Sequence, residues 1–163
     1  MRVRVIITAA VVLFLGVAVF VSHLVSSVVG DKRAMMEQAR QWALERTNIT
    51  EIEQIDEYRG KQTYAVVIGK NRVGTREIAW LTKDQIVFDT MEHAIPRENV
   101  EAAVRKGFPQ SEILRIVPGM EGQQRFWEVT LLDPDGKYRY LHYDFYQGNV
   151  TKSYVVQTID YAS

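Results

Sequence analysis

The chain has 163 residues, of which 20 are basic and 20 acidic, and it has no cysteine. The length allows one ordinary domain or two small ones, and an apolar fraction of 47% is enough for a packed core, so a disordered chain is excluded. The absence of cysteine excludes disulfides, thiolate metal sites and a cysteine nucleophile. Two of the basic residues, Arg2 and Arg4, precede an apolar segment. The rest of the chain therefore contains 18 basic and 20 acidic residues. This slight acidic excess argues against nucleic-acid binding, which needs a basic surface.

The first predicted element is a membrane-spanning helix. From Val5 to Val21 there are 17 consecutive residues with Thr8 as the only polar one, and the apolar character continues, diluted by serines and one histidine, to Val29. The stretch from Val5 to Val25 is long enough for a span. A span takes about 20 helical residues, so the segment predicts a transmembrane anchor. Arg2 and Arg4 before it predict a single-pass protein of the cell membrane, with a cytoplasmic N-terminus and extracytoplasmic domains. A cleaved signal peptide is the alternative, but its apolar region is shorter, at roughly 7–15 residues.

A helix and four short strands are predicted next. The helix covers 31–46, because four apolar residues share one of its faces: Met35, Ala39, Trp42 and Ala43. After it, apolar and polar residues alternate in short runs separated by turn residues. The predicted strands are Ile49–Glu57, Gln62–Lys70, Arg76–Thr82 and Gln85–Asp89.

The same order of elements then recurs. A second helix begins near Pro96 and stops at Gly107, with its apolar stripe at Val100, Ala103, Val104 and Phe108. Four more strands are predicted at Glu112–Val117, Gln124–Leu132, Lys137–Phe145 and Asn149–Val156, with turns at Gly119–Gly122, Asp133–Gly136 and Gln147–Gly148.

The recurrence indicates an internal duplication, because Tyr64 aligns with Trp127 at a spacing of 63 residues. The predicted fold class is α+β: an N-terminal transmembrane helix followed by two tandem cystatin-like units, each a helix packed on a four-stranded antiparallel sheet. The predicted domains are residues 1–30 for the cytoplasmic tail and anchor, 31–93 for the first unit and 94–163 for the second.

The second unit carries four short segments that suggest a family: residues 126–129 (Phe-Trp-Glu-Val), 135–136 (Asp-Gly), 140–144 (Tyr-Leu-His-Tyr-Asp) and 148–150 (Gly-Asn-Val). They resemble the PepSY pattern, in which an aromatic-rich strand leads into a hairpin. With its one span and two tandem units, the whole chain resembles the YpmB/TseB family of Gram-positive bacteria. The resemblance implies a regulator of cell wall (peptidoglycan) elongation that acts through a penicillin-binding transpeptidase.

The residues of the catalytic types do not form a recognisable catalytic set. The three histidines are scattered along the chain, and no serine lies in a Gly-x-Ser-x-Gly turn or precedes a lysine by three positions. We therefore predict a protein that is not an enzyme and needs no cofactor. The alternative is an enzyme whose site is assembled from distant residues, for example His142 with Asp144 on one strand face.

The segment Asp133–Gly136 faintly resembles a calcium-binding loop. That loop needs its glycine at the sixth position and several oxygen ligands at fixed places, whereas the glycine here is fourth. A tight hairpin turn fits Pro134 and Gly136 better, so no metal site is predicted.

The candidate binding residues lie in one aromatic hairpin. Tyr138 and Tyr140 face the opposite side of their strand from Tyr143 and Phe145, and both sides cannot form the core of a two-layer unit. One set is therefore expected to be exposed or to lie between the units, where tyrosines are enriched in interfaces. The predicted partner-binding residues are Tyr138, Tyr140, Tyr143 and Tyr146.

An acidic cluster lies earlier, at Glu51, Glu53, Asp56 and Glu57. It fits a solvated strand edge or a patch for a basic partner or wall-bound cations.

The function implied by the resemblance is a membrane-anchored, non-enzymatic regulator that binds a penicillin-binding protein. The alternative is a PepSY-type inhibitor or modulator of an extracellular protease or wall hydrolase.

Overall fold

The computed structural model describes residues 17, 20, 30 and 33–157. Apart from Val17 and Phe20, the predicted span at Val5–Val25 lies outside the described residues. Among the described residues, no helix is long and apolar enough to cross a membrane. The chain divides into two compact units, one ending at Gln38 and the other beginning at Ala39, and both sheets belong to the second of these.

Helices and strands follow one another in the predicted order. Helix α1 covers residues 33–46, and helix α2 covers Arg97–Gly107. The strands are β1 (Ile49–Arg59), β2 (Thr63–Asn71), β3 (Arg76–Leu81), β4 (Ile86–Thr90), β5 (Glu112–Glu121), β6 (Gln124–Leu132), β7 (Tyr138–Asp144) and β8 (Val150–Val156). The predicted strands are confirmed, and β5 is the one whose end differs most from its predicted position.

Strand β5 continues through the turn predicted at Gly119–Gly122. It runs on to Glu121, so that of the four predicted turn residues only Gly122, with φ +61°, lies in the turn. Gly119 is needed for a different reason: a Cβ there would collide with the ring of Phe126 and lie 2.8 Å from the ring of Tyr58. The glycine therefore allows two aromatic rings to approach the backbone of a continuous strand.

Each set of four strands forms one antiparallel sheet with its strands in chain order. The first sheet has the order β1-β2-β3-β4 and the second β5-β6-β7-β8. Two four-stranded antiparallel sheets with helices make the chain an α+β protein, as predicted. The predicted boundary near residue 93 falls between the two sheets, and the predicted domain limits stay predictions.

One hydrophobic core joins the two sheets. Val100 and Val104 of α2 belong to the same buried cluster as Trp127 of β6 and Trp80 of β3. The ring of Phe145 packs against both tryptophans, 5.7 Å from Trp80 and 5.6 Å from Trp127 between centroids. Trp127 is 2% exposed and lies in this core.

The edges of the two sheets also meet, because β1 and β5 lie side by side. Tyr58 of β1 is fully buried against the second sheet, with its ring 5.5 Å from that of Phe126 and its hydroxyl donating to Glu121 at 3.2 Å. Burial raises the pKa of Tyr58, and the nearby carboxylates of Glu128 and Glu121 raise it further. Arg115 donates a hydrogen bond to the backbone carbonyl of Glu57 across the same contact.

Candidate functional site

Four apolar and aromatic side chains share one face at the outer end of the second sheet. In the antiparallel register, Tyr138 pairs with Val156 and Tyr140 with Tyr154. Residues directly opposite each other in a sheet project to the same side, and side chains two positions apart also share a side. We call these four residues, Tyr138, Tyr140, Tyr154 and Val156, the β7–β8 patch.

The β7–β8 patch is ordered by ring stacking and remains open to solvent. The rings of Tyr140 and Tyr154 stack with centroids 5.1 Å apart and planes within 9°. The ammonium of Lys152 lies 5.1 Å over the ring of Tyr154. Tyr138 is 37% exposed, Tyr154 38% and Val156 46%. A cluster of large exposed apolar groups on a rigid sheet is typical of a protein-interaction surface.

The structure separates the four tyrosines that the sequence grouped as partner-binding. Tyr138 and Tyr140 lie in the patch, whereas Tyr143 is 5% exposed and faces the core opposite Trp127. Burial also raises the pKa of Tyr143. Tyr143 is therefore a core residue, and partner binding by Tyr138 and Tyr140 stays a prediction.

Tyr146 belongs to a polar contact between the sheets. Its hydroxyl bonds to Asp89 of β4, and the guanidinium of Arg125 lies 2.6 Å from the same hydroxyl. Arg125 also donates to Asp89 at 2.7 Å and lies over the ring of Trp80, 5.6 Å from its centroid. We call Asp89, Arg125 and Tyr146 the inter-sheet latch. Tyr146, 38% exposed, thus ties its hairpin to the first sheet.

Sequence reasoning missed Tyr154 and Val156 as members of the patch. Both follow a register shift between His142 and Tyr143 in the pairing of β7 with β8. Such an irregularity cannot be read from alternation alone, because one extra residue changes which side chains lie opposite each other. The only sequence signal for this part of the patch was the presence of Tyr154 itself, two residues after Lys152.

Beside the patch, on the same face of the sheet, lies a buried acid–imidazole pair. His142 Nε2 is 3.3 Å from Glu128 Oε2, and the two residues are 3% and 7% exposed. The imidazole stacks on Phe126 with centroids 3.9 Å apart, and Tyr154 packs edge-on against it at 6.2 Å. The pair therefore supports the side of the patch formed by Tyr154.

The pairing of His142 with Asp144, considered above for an enzyme, is not formed. The Asp144 carboxylate instead accepts backbone N–H groups of Tyr146 and Gln147, at 2.9 and 2.8 Å, which shapes the turn after β7. His142 and Asp144 thus serve different parts of the hairpin.

The acidic turn at Asp133–Gly136 is a hairpin turn, as predicted. Gly136, with φ +80°, donates its N–H to the carbonyl of Asp133 at 2.9 Å. The Asp133 carboxylate accepts hydrogen bonds from Arg139 and Ser111, and the bond from Arg139 holds its pKa below the usual range. In the described part of the chain, no group of three or more His, Cys, Asp or Glu residues could hold a metal ion.

Part of the acidic cluster on β1 is occupied by partners in its own sheet. Glu53 pairs with Lys70 at 3.0 Å and Arg76 at 2.8 Å, and the hydrogen bond from Lys70 is the largest cause of its lowered pKa. Glu57 pairs with Arg59 at 2.8 Å. These contacts favour a charged strand edge over a patch for a basic partner.

The fold and the patch define a class: an α+β protein of two tandem antiparallel sheets with an exposed aromatic surface at one edge. A family model described as "Cell wall elongation regulator TseB-like domain" matches residues 38–82. A Bacillus subtilis (strain 168) protein named "Probable cell wall elongation regulator TseB" is 26% identical over 145 residues, which cover 87% of this chain and 90% of that protein.

A solved structure is similar as well. It is described as "YpmB protein from Bacillus subtilis", with a TM-score of 0.64 and 26% identity, and the match covers 74% of this chain and 96% of that one. The three findings confirm the predicted resemblance: the chain is similar to the YpmB/TseB-like proteins.

Proposed function

We propose that this chain is a non-enzymatic regulator of cell wall elongation that acts by contact, and that the β7–β8 patch binds a penicillin-binding transpeptidase. The observation that carries the proposal is the stacking of the half-buried Tyr140 on the exposed Tyr154. On the opposite face of β7, Leu141 and Tyr143 are packed in the core. The name of the Bacillus subtilis relative supports the regulatory role.

The patch has the physical properties of a binding hot spot. Tyrosine offers a large contact area at a low entropic cost, because few of its torsions must be fixed on binding. Here the stacking partner and Lys152 already restrict the ring of Tyr154. A partner would therefore meet a preorganised surface, which reduces the cost of association.

A membrane anchor would make a weak contact sufficient. The proposal places the chain in the cell membrane through Val5–Val25, with a cytoplasmic N-terminus and two cystatin-like units outside. Two proteins held in one membrane plane have a raised effective concentration for each other. A patch built on a few aromatic side chains can then hold an enzyme of the same membrane.

The test compares two variants of the full chain in which aromatic residues are replaced by serine. Tyr140→Ser together with Tyr154→Ser removes the stacked pair, and Phe88→Ser removes an aromatic side chain that is 53% exposed on the first sheet. We expect the first variant to reproduce the cell shape and β-lactam sensitivity of a gene deletion, and the Phe88 variant to behave as the unsubstituted protein.

Two results would overturn the proposal. One is a patch variant that is present at the normal level and supports normal growth. The other is a purified protein that inhibits an extracellular protease or wall hydrolase at a stoichiometric dose, which would favour the inhibitor function suggested by the PepSY-like segments.

A further inference from the structure

Strand β8 presents an open edge that differs from the other edges of the two sheets. Its seven residues are all exposed, and no described strand pairs with its outer side. Among the other edge strands, β1 and β5 lie against each other, and β4 has only five residues. A long edge strand with unpaired N–H and C=O groups is a template for another strand unless the sequence protects it.

The sequence of β8 protects this edge very little. Val150–Val156 contains no proline, three valines, one tyrosine and a single charged residue, Lys152. The ammonium of Lys152 lies over the ring of Tyr154. The strand therefore has the composition that favours pairing with another strand.

We propose that β8 pairs antiparallel with β8 of a second copy of this chain, about a two-fold axis at Ser153. This inference is independent of the proposed binding of a transpeptidase. The strand is complementary to itself in this register: Lys152 lies opposite the partner copy's Tyr154. Beyond the register shift at Thr151, the end residue Val150 lies near the partner copy's Val156. No two like charges lie directly opposite each other, which would destabilise a strand pair.

The register also repeats a contact already formed within the chain. The ammonium of Lys152 lies 5.1 Å from the ring centroid of Tyr154 in the same strand, and the pairing offers it a second tyrosine ring. The two Lys152 side chains are diagonal neighbours, about 7–8 Å apart, and each has an aromatic face beside it.

The pairing would join two sheets into one sheet of eight strands. A two-fold axis perpendicular to a sheet keeps each side chain on its own face, so both copies of the β7–β8 patch lie on the same side. The patch itself stays uncovered, because strand pairing uses backbone groups at the edge while the tyrosines project from the face.

Engineered cysteines test the register directly, because the chain contains no cysteine of its own. In the full-length protein, Ser153→Cys places two thiols directly opposite each other. Cα atoms at such positions are about 4.5–5.5 Å apart, within the range that a disulfide requires. Ser153 is exposed and cysteine is nearly its size, so the fold is retained. We expect mild oxidation to give a disulfide-linked dimer in high yield.

Two matched variants define the register. Val150→Cys alone should not link, because its counterpart lies about 20 Å away along the partner strand. Val150→Cys mixed with Val156→Cys should link the two chains. Phe88→Cys, an exposed position on the edge of the first sheet, reports random collision.

A charge substitution tests self-association without a crosslink. Ser153→Asp places two carboxylates opposite each other at the axis, which should prevent the strands from pairing. Analytical ultracentrifugation should then show a dimer for the unsubstituted protein and a monomer for this variant. Val73→Asp, at a position that is 85% exposed in the β2–β3 turn, should leave the dimer intact. The proposal is overturned if Ser153→Cys links no faster than Phe88→Cys, if Val150→Cys links to itself, or if Ser153→Cys is captured only by a different protein.

Discussion

The two sheets have the same strand order but differ in how much of each is exposed. In the first sheet, all residues from Tyr64 to Gly69 of β2 are buried, so that both faces of this strand are covered. In the second sheet, none of the residues of β8 is buried. The first sheet therefore has a central strand that is covered on both faces, and the second sheet ends in a strand that is open to solvent. A binding function is expected in the second sheet, where burial ends.

The largest expected loss of stability comes from substitutions in the core that the two sheets share. Trp127→Ala and Trp80→Ala should each lower the free energy of unfolding by about 3–5 kcal/mol, the usual cost of truncating a buried aromatic residue. Both tryptophans contact Phe145. Either change should therefore shift one cooperative transition for both sheets, measured by denaturant unfolding of the purified protein. Two separate transitions, or an unchanged midpoint for Trp127→Ala, would show that the sheets do not share a core.

A smaller effect is expected at the edge contact between β1 and β5. Gly119→Ala forces a methyl group between Tyr58 and Phe126, and overpacking of this kind costs about 1–3 kcal/mol. Gly107→Ala is the matched control, because an added Cβ meets no atom within 4 Å there. A thermal melt of both variants compares them. Equal midpoints would mean that the two aromatic rings can move aside at no cost.

The inter-sheet latch should contribute less, because its groups are only partly buried. Asp89→Ala removes the acceptor of Arg125 and Tyr146, and we expect a loss of about 1–2 kcal/mol in the free energy of unfolding. Asp84→Ala, at an exposed turn of the same sheet, should change it by less than about 0.5 kcal/mol. If the two variants unfold at the same denaturant concentration, the latch does not hold the sheets together.

The smallest effect concerns pH. The hydrogen bond from Arg139 lowers the pKa of Asp133 in the folded state below its ordinary value of 3.8. The stabilisation by the Asp133–Arg139 pair is therefore present at pH values above the ordinary pKa of 3.8. It is lost as the pH falls through the lower pKa of Asp133 in the folded state. Asp133→Asn should make the stability fall less steeply below about pH 4, with a difference of about 1 kcal/mol or less at neutral pH. A steeper fall in the variant would reverse the sign assigned to this pair.

The sequence predicted the strands well, because alternation and turn residues are local signals. It also predicted that Tyr138 and Tyr140 face away from Tyr143 and Phe145, since side chains alternate along a strand. It did not decide which set is buried, because that depends on where α2 and the first sheet pack. Two further features needed the three-dimensional register: Tyr154 as the stacking partner of Tyr140, and Gly119 as a contact site for Tyr58.

The central claim is that the second sheet, and not the first, contacts a wall-synthesis enzyme. A photoreactive amino acid placed at Tyr138 of the β7–β8 patch, or at Phe88 of the first sheet as the control, tests it in growing cells that make the full chain. Both positions are exposed, at 37% and 53%, so either can react with a neighbour. We expect a crosslinked penicillin-binding transpeptidase, identified by mass spectrometry, from position 138 alone. The same enzyme captured from position 88, or no transpeptidase from position 138, would contradict the claim.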